Sequence, residues 1–492
     1  MNHLIISREF PPCTYPMGGI GTYVRHIARL LAEQGETVHV IAERWIGAPR
    51  ATEVQLGGRL VIHRVWTARP LDDSPTPHDD ADVLDAMASS PFPAQAFGWQ
   101  AARLAEHLVV NEGIDVIEGQ DFEAPLYDFL VRRALGLGPT VMPPCMVHLH
   151  TTYEQVCRAN GWRLDTPRGL AMKAQEDYVI RAADALLAPS RFLARQTEAQ
   201  HDLPAGSITT IPYPIGEVPR IDRTADTWSD GTICFAGRYE VRKGLLEWVP
   251  AAIQVASRRP GLRFEFMGAD TPLEPDRPSS SVRSTLRALV PTDLAHAFVF
   301  GGPVDRTTLW AQLARARIAV VPSRWENFPN ACIEAMCSGL PVLVTPNGGM
   351  AEMIEEGRTG WVAASNSSDD LARALERALR VAPQQLAAMG DEASRAIRER
   401  CDNGRTVARQ LEFRRTVMAR GATSSRRVPE GCHPERPLSR TPAPTGQPAS
   451  VVEASVTHRG AASAVRLAIS HPLYAASWLL WRGRRFLRRR AR

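Results

Sequence analysis

Arg238 and Lys243 stand five positions apart in the stretch GRYEVRKG, and Glu326 and Glu334 stand eight apart in RWENFPNACIEAMCSG. The two cations suit the oxygens of a diphosphate: the guanidinium offers a planar fork of donors, the ammonium a compact point charge. A solvated basic turn carries the same residues, so the pair takes its meaning from its neighbours. The two glutamates are wrong for binding an anion directly and right for accepting hydrogen bonds from hydroxyls. After Glu326, Pro329 suits the first position of a helix, where a missing N–H costs nothing, and Gly339, beyond Glu334, suits the residue just past its end. The amides of Phe328, Asn330 and Ala331 then form a helix start that can seat negative charge.

Three further stretches could face the same ligand. Gly18, Gly19, Ile20 and Gly21 would let backbone amides approach it closely, although a glycine-rich turn that merely starts a helix fits equally well. His150 closes the run HLH, where a buried histidine is the plainer alternative. Val304, in FGGPV, ends a glycine-lined edge against which a flat base can stack. No Asp-x-Asp stands in these loops, and no metal site is expected.

These residues need strands and helices to position them. From residue 3 the order is the strand HLIIS, the glycine loop, a helix from about residue 20 to 34, and the strand TVHVIA. Ile20, Val24, Ile27 and Leu31 recur at helical spacing, and Gly35 stops the helix. LVIHRVW, DVIEGQ, CMVHLH and ALLAPS read as further strands of an open parallel sheet. A second alternating series begins with TICFAGR and runs through LRFEFMG, AFVFGGPV and IAVVPS to LPVLVTP. The segment between the series, IPYPIGEVPRIDRTADTWSDG, reads as an interdomain linker. The expected fold is α/β, with two doubly wound domains facing across a cleft and ligands outside the carboxyl ends of the strands. The expected division is residues 1–215, 216–405, a C-terminal helix at 406–420 crossing back to the first domain, a flexible linker at 421–460 and a tail at 461–492. Thr67 to Pro93 reads as a long loop or lid. The loop EGQDFEAP brings Glu118, Asp121 and Glu123 toward the cleft, and a solvated acidic loop is its expected state.

Taken together, GRYEVRKGL, the Val304 loop and PSRWENFPNACIEAMCSGLPVLVTPNGGMAEMIEEGRTGWV resemble the donor half of the retaining GT-B glycosyltransferases with a Glu-x7-Glu motif. This is glycosyltransferase family 4, "glycosyl transferases group 1". GGIGTYVRHIARLLAEQGETVHVIA and HLHTT are similar to its first half, so the resemblance covers roughly residues 3 to 400. It implies that Arg238 and Lys243, beside Gly237, hold the diphosphate of a nucleotide-sugar and stabilise it as it leaves. It implies that Glu334 accepts the ribose hydroxyls and Glu326 faces the transferred sugar. Asn327, Phe328 and Asn330 fill in with backbone amides, Val304 lies at the base, and His150 lies by the sugar and the acceptor. Gly18 and Gly19 let the first domain close on phosphate and acceptor. The implied chemistry is sugar transfer with retention of anomeric configuration, by front-face attack, without a metal or other cofactor; the nucleotide-sugar is substrate. The sequence departs from the pattern at IPYPIGEVP, where many members carry an Asn-Gly turn.

Composition sets the remaining expectations. The net charge of +5 hides nine arginines after Glu453, which leave −4 on the rest and remove the case for a specific nucleic-acid partner. Eight scattered cysteines without a CxxC pair suggest small buried positions in a reducing compartment. PLYAASWLLW followed by seven arginines in residues 482–492 is too short to span a bilayer and fits an anionic membrane surface. The expected location is cytoplasmic, peripheral on the inner face of the cell membrane. The expected acceptor is a glycan or a lipid-linked sugar of a cell-surface polysaccharide. A sugar-nucleotide epimerase and an inactive sugar-binding scaffold are the alternative readings of the same architecture.

Overall fold

The computed structural model describes residues 1–13, 18–44, 50–67, 86–87, 93–273 and 279–422. The expected lid lies mostly outside them; the greater part of the linker and the whole tail lie outside them too.

The first half forms an eight-stranded sheet in the order β3-β4-β2-β1-β5-β6-β7-β8. Its strands are β1 (Asn2–Ile6), β2 (Thr37–Arg44), β3 (Thr52–Gln55), β4 (Leu60–Trp66), β5 (Val116–Gln120), β6 (Cys145–His148), β7 (Ala185–Ala188) and β8 (Thr209–Thr210). Continuous apolar runs such as Leu4–Ile6 are buried because helices cover both faces of the sheet. In the Gly19–Glu33 helix, Val24, Ile27 and Leu31 are buried as their spacing predicts. The sheet is not wholly parallel, since β3 pairs antiparallel with β4. Leu56, Gly57 and Gly58 all take positive φ and turn the chain back as a hairpin, which leaves the short polar TEVQ as an edge.

The second half forms a six-stranded parallel sheet in the order β11-β10-β9-β12-β13-β14. Its strands are β9 (Thr232–Ala236), β10 (Phe264–Met267), β11 (Phe298–Phe300), β12 (Ala316–Val321), β13 (Val342–Val344) and β14 (Gly360–Val362). The strand order reverses between β1 and β5 in the first sheet and between β9 and β12 in the second. At such switch points the loops at the carboxyl ends diverge and leave a crevice. The loop after β9 carries Arg238 to Lys243, and the loop after β12 carries Glu326.

Several local expectations need correction. Pro329 caps the Asn330–Cys337 helix from outside, with ψ of 126° in the extended region, rather than occupying its first turn. The strand leading to His150 ends at His148, two residues early. The segment between the sheets is not a bare linker: Tyr213, Ile215 and Val218 are buried, and Ala225–Asp230 is helical. Cys145, Cys157, Cys234, Cys332, Cys337 and Cys401 are buried, as small apolar-compatible side chains are.

The Asn403–Arg420 helix packs on the first sheet, with Phe413 and Met418 against Val116, Met146 and Leu187. Its Arg414 is fully buried and paired with Glu118 of β5. No helix among the described residues is long and apolar enough to cross a membrane.

Candidate active site

The loop after β9 begins at Gly237 and makes one short helical turn, Val241–Lys243. Gly244 ends the turn at φ 70°, and a Cβ there would collide with the Pro322 carbonyl. The glycine therefore lets the loop after β9 lie directly against the loop after β12. Gly348, at φ 119°, does the same for the Glu326 backbone, to which it is bridged.

Five charged side chains meet where these loops touch. Glu326, 7% exposed, accepts from Arg242 at 2.7 Å and is also paired with Lys243. Arg242 turns its Nε to Glu240 at 3.1 Å, and Asn160 of the first half holds the cluster from outside. The Asn160 side chain donates to Glu240 at 3.0 Å and accepts from the Arg242 amide at 2.8 Å. Arg238 is half exposed and reaches Glu240 at 3.1 Å. Burial alone would raise both carboxyls, but the cations outweigh it and hold Glu240 and Glu326 below the ordinary carboxylate range. Burial lowers Lys243, and its repulsion from Arg242 adds to that despite the attraction of Glu326. Arg242 thus favours the anion and adds to the effect of burial in disfavouring the second cation.

Arg242 did not figure among the sequence candidates. Two adjacent basic residues in RKG were the available signal, but adjacency does not tell which one turns inward. Glu334 lies apart from the cluster, with Arg306 at 3.8 Å as its ionic neighbour, and burial raises its carboxyl. Val304 is exposed on the loop that leads to Arg306.

His150 is buried on the first-half side. Its amide donates to Asp121 at 2.8 Å, its carbonyl accepts from Asn327 at 3.1 Å, and its Nδ1 lies 2.6 Å from the Tyr213 hydroxyl. Burial first, and then His148, lower its pKa, so the ring is neutral. Asn327 also accepts from Ser190 at 2.7 Å, so its side chain joins the halves instead of facing open solvent. Phe328 is core, edge-on to Tyr213 at 5.6 Å with the Arg400 guanidinium over its ring. Gly19 faces Asn330: a Cβ on it would sit 3.7 Å from the Asn330 amide nitrogen. The Gly18 and Gly21 amides donate to Glu9 at 3.1 and 3.2 Å, so a carboxylate of this chain already sits at that helix start. Glu9 precedes the glycine loop in REFPP and was also missed.

The acidic stretch EGQDFEAP, which starts within β5, is not solvated. Glu118 and Asp121 are buried, and Glu118 binds Arg414 and accepts from Tyr23 at 3.1 Å. Burial pushes the Asp121 carboxyl up to about 7.

Two doubly wound sheets with a charged cluster at a switch point and a histidine opposite define a GT-B architecture. The model of the "Glycosyl transferase 4-like domain" matches residues 18–214, and that of "Glycosyl transferases group 1" matches residues 230–380. The chain belongs to this glycosyltransferase family. A glycogen synthase of Mycobacterium tuberculosis is 25% identical over 393 residues, covering 77% of this chain and 86% of its own length. A D-inositol 3-phosphate glycosyltransferase of Acidothermus cellulolyticus is 28% identical over 390 residues, covering 75% and 80%. In fold, the chain is similar to a sucrose-phosphate synthase of Thermosynechococcus elongatus, with TM-score 0.64 at 18% identity over 85% of this chain and 99% of that one. It is also similar to Anabaena HepE in complex with UDP and glucose, with TM-score 0.57 at 16% identity over 85% and 100%.

Proposed function

We propose that this glycosyltransferase moves a sugar from a nucleoside-diphosphate donor to a glycan or lipid-linked acceptor, with retention and without a metal. The observation that carries the reading is the meeting of Lys243 and Arg242 on Glu326 at the switch point of the second sheet. Departure of a nucleoside diphosphate concentrates negative charge, and preorganised cations in a partly dry crevice stabilise it without reorganisation. Lys243 and the half-exposed Arg238 take the phosphate oxygens, and Glu326 orients hydroxyls of the sugar. Glu334 accepts from the ribose, while Arg242 keeps Glu326 ionised and in place. In the front-face step the bond from the anomeric carbon to the phosphate oxygen breaks as the acceptor oxygen bonds to the same face. The acceptor proton passes to the leaving phosphate.

The names of the relatives favour a polyhydroxylic acceptor, and we extend this to cell-surface polysaccharide or glycolipid synthesis at the inner face of the membrane. The basic tail at 461–492 supplies the membrane contact in this reading. The direct test incubates the protein with UDP, GDP and ADP sugars and measures nucleotide release and thermal shift, with and without EDTA. Folded protein that responds to no donor overturns the reading. Loss of activity in EDTA, restored by a divalent ion, overturns metal independence, and an inverted product by NMR overturns retention.

A further inference from the structure

We infer that Tyr213 is a positioning residue that keeps the proton of His150 on Nε2, so that the ring presents a hydrogen-bond donor to a hydroxyl of the transferred sugar. The inference deepens the transferase reading and rests on it for the identity of the ligand.

Counting hydrogen-bond partners assigns the tautomer. The Tyr213 hydroxyl and His150 Nδ1 are 2.6 Å apart, so one donates to the other. His150 Nε2 is buried and has no protein partner. If Tyr213 donates, the Nε2–H is the one polar hydrogen of the pair left without a partner, and it remains for a ligand. If His150 donates from Nδ1, the Nε2 lone pair and the phenolic proton are both left buried without a partner. Buried polar groups are rarely left so, which favours the first arrangement. Burial, with Asp121 and Glu326 nearby, raises the Tyr213 phenol well above its ordinary value, so it keeps the proton it must donate.

The surroundings allow the pair little freedom. The two rings stack at 25° with centroids 5.5 Å apart, and Phe328 closes the far side of Tyr213 at 90°. The His150 backbone is pinned by Asp121 and Asn327. Tyr213 lies in IPYPIG and belongs to the segment joining the two sheets. A residue of the connection thus sets the protonation geometry of one wall of the crevice, while Asn327, next to Glu326, ties that wall to the other.

The test is 15N NMR of histidine-labelled protein, with His150→Gln to assign the His150 signals, alongside steady-state kinetics. Wild-type His150 is expected to carry its proton on Nε2 at neutral pH. Tyr213→Phe keeps the ring stack and is expected to mix the tautomers and lower kcat ~10-fold, with the donor KM within about 2-fold. A wild-type proton on Nδ1 overturns the inference, as does an unchanged tautomer in Tyr213→Phe or a changed tautomer with unchanged kcat. The wild-type tautomer is read without substrate, and a proton on Nδ1 overturns the inference even if the phenylalanine variant fails to fold. A fixed Nε2–H tautomer in a protein that turns over no nucleotide-sugar refutes the transferase reading and leaves the tautomer assignment intact.

Discussion

The two walls of the crevice are built by opposite means. On the second-sheet side, Arg238, Glu240, Arg242, Lys243 and Glu326 form an ionic cluster in which the cations hold the two buried carboxyls ionised. On the first-sheet side, Tyr23, His148, His150 and Tyr213 form a group of rings with centroids 4.2 to 5.7 Å apart. There burial keeps both histidines neutral. The charged wall suits a ligand whose own charge changes during reaction. The neutral wall suits one that must be oriented by fixed donors and acceptors. The ring wall still rests on an ion pair, Glu118 with Arg414, but that pair is fully buried one layer further in.

The largest expected effect falls on the charged wall. Arg242→Met leaves Glu240 and Glu326 buried with too few cations, and breaking a buried pair from one side costs about 3–5 kcal/mol. Chemical denaturation should show a loss in that range. A loss under ~1 kcal/mol would mean that Lys243 and Arg238 suffice, and that the two walls are less different than their charges suggest.

Next comes Lys243→Ala, which acts on turnover more than on folding because Arg242 still neutralises Glu326. Loss of one preorganised charge-stabilising donor costs about 3–4 kcal/mol of activation free energy, ~10²–10³ in kcat. Steady-state kinetics with the preferred donor would check it. An unchanged kcat would remove Lys243 from the chemistry and leave it a structural partner of Glu326.

The neutral wall should fail in acid, through its hidden pair. Burial tends to raise Glu118, but Arg414 outweighs it and the folded carboxyl sits at about 2, below the ordinary 4.5. A depressed carboxylate contributes its stability in full above the unfolded value and loses it as pH falls through the folded one. Wild-type stability should therefore drop between about 4.5 and 2 by a component of about 3 kcal/mol, absent from Glu118→Gln, whose stability should be lower throughout neutral pH. Parallel pH profiles of the two proteins would show that the Glu118–Arg414 pair contributes little.

What could be read from the chain divides along the same line. The strands, the helix over Gly19–Glu33, the switch-point loops and the family motif are encoded in local spacing, and a periodic run carries them wherever the chain goes. The contacts that distinguish the walls are not local. Arg242 outranks Arg238 in burial because Asn160 binds its amide and Gly244 admits the Pro322 carbonyl, and neither appears in GRYEVRKG itself. Glu118 looked like part of a solvated loop because its partner, Arg414, lies nearly three hundred residues away on a helix that crosses back. Tyr213 looked like linker because prolines flank it, although its ring packs among buried aromatics. Glu334 and Glu326 read as two acceptors facing one elongated ligand, Glu334 at the ribose and Glu326 at the sugar, yet only Glu326 joined the ionic cluster.

That inequality gives the smallest effect and the finest test of the comparison. Glu334 keeps 22% of its side chain exposed and has Arg306 at 3.8 Å, so it is neither locked by cations nor built into the ring wall. A carboxylate that accepts two ribose hydroxyls makes charge-assisted bonds, which the neutral amide of Glu334→Gln replaces with bonds that are together about 1 kcal/mol weaker. The donor should bind ~5-fold more weakly by calorimetry, with kcat nearly unchanged and folding stability within ~0.5 kcal/mol of wild type. Burial raises the Glu334 carboxyl, so as pH falls wild-type donor affinity should decline earlier than an ordinary carboxylate would allow. The glutamine variant should show no such decline from this residue. If Glu334→Gln instead lowered kcat with donor affinity intact, Glu334 would belong with the charged wall's chemistry, and the two glutamates of the motif would share one role after all.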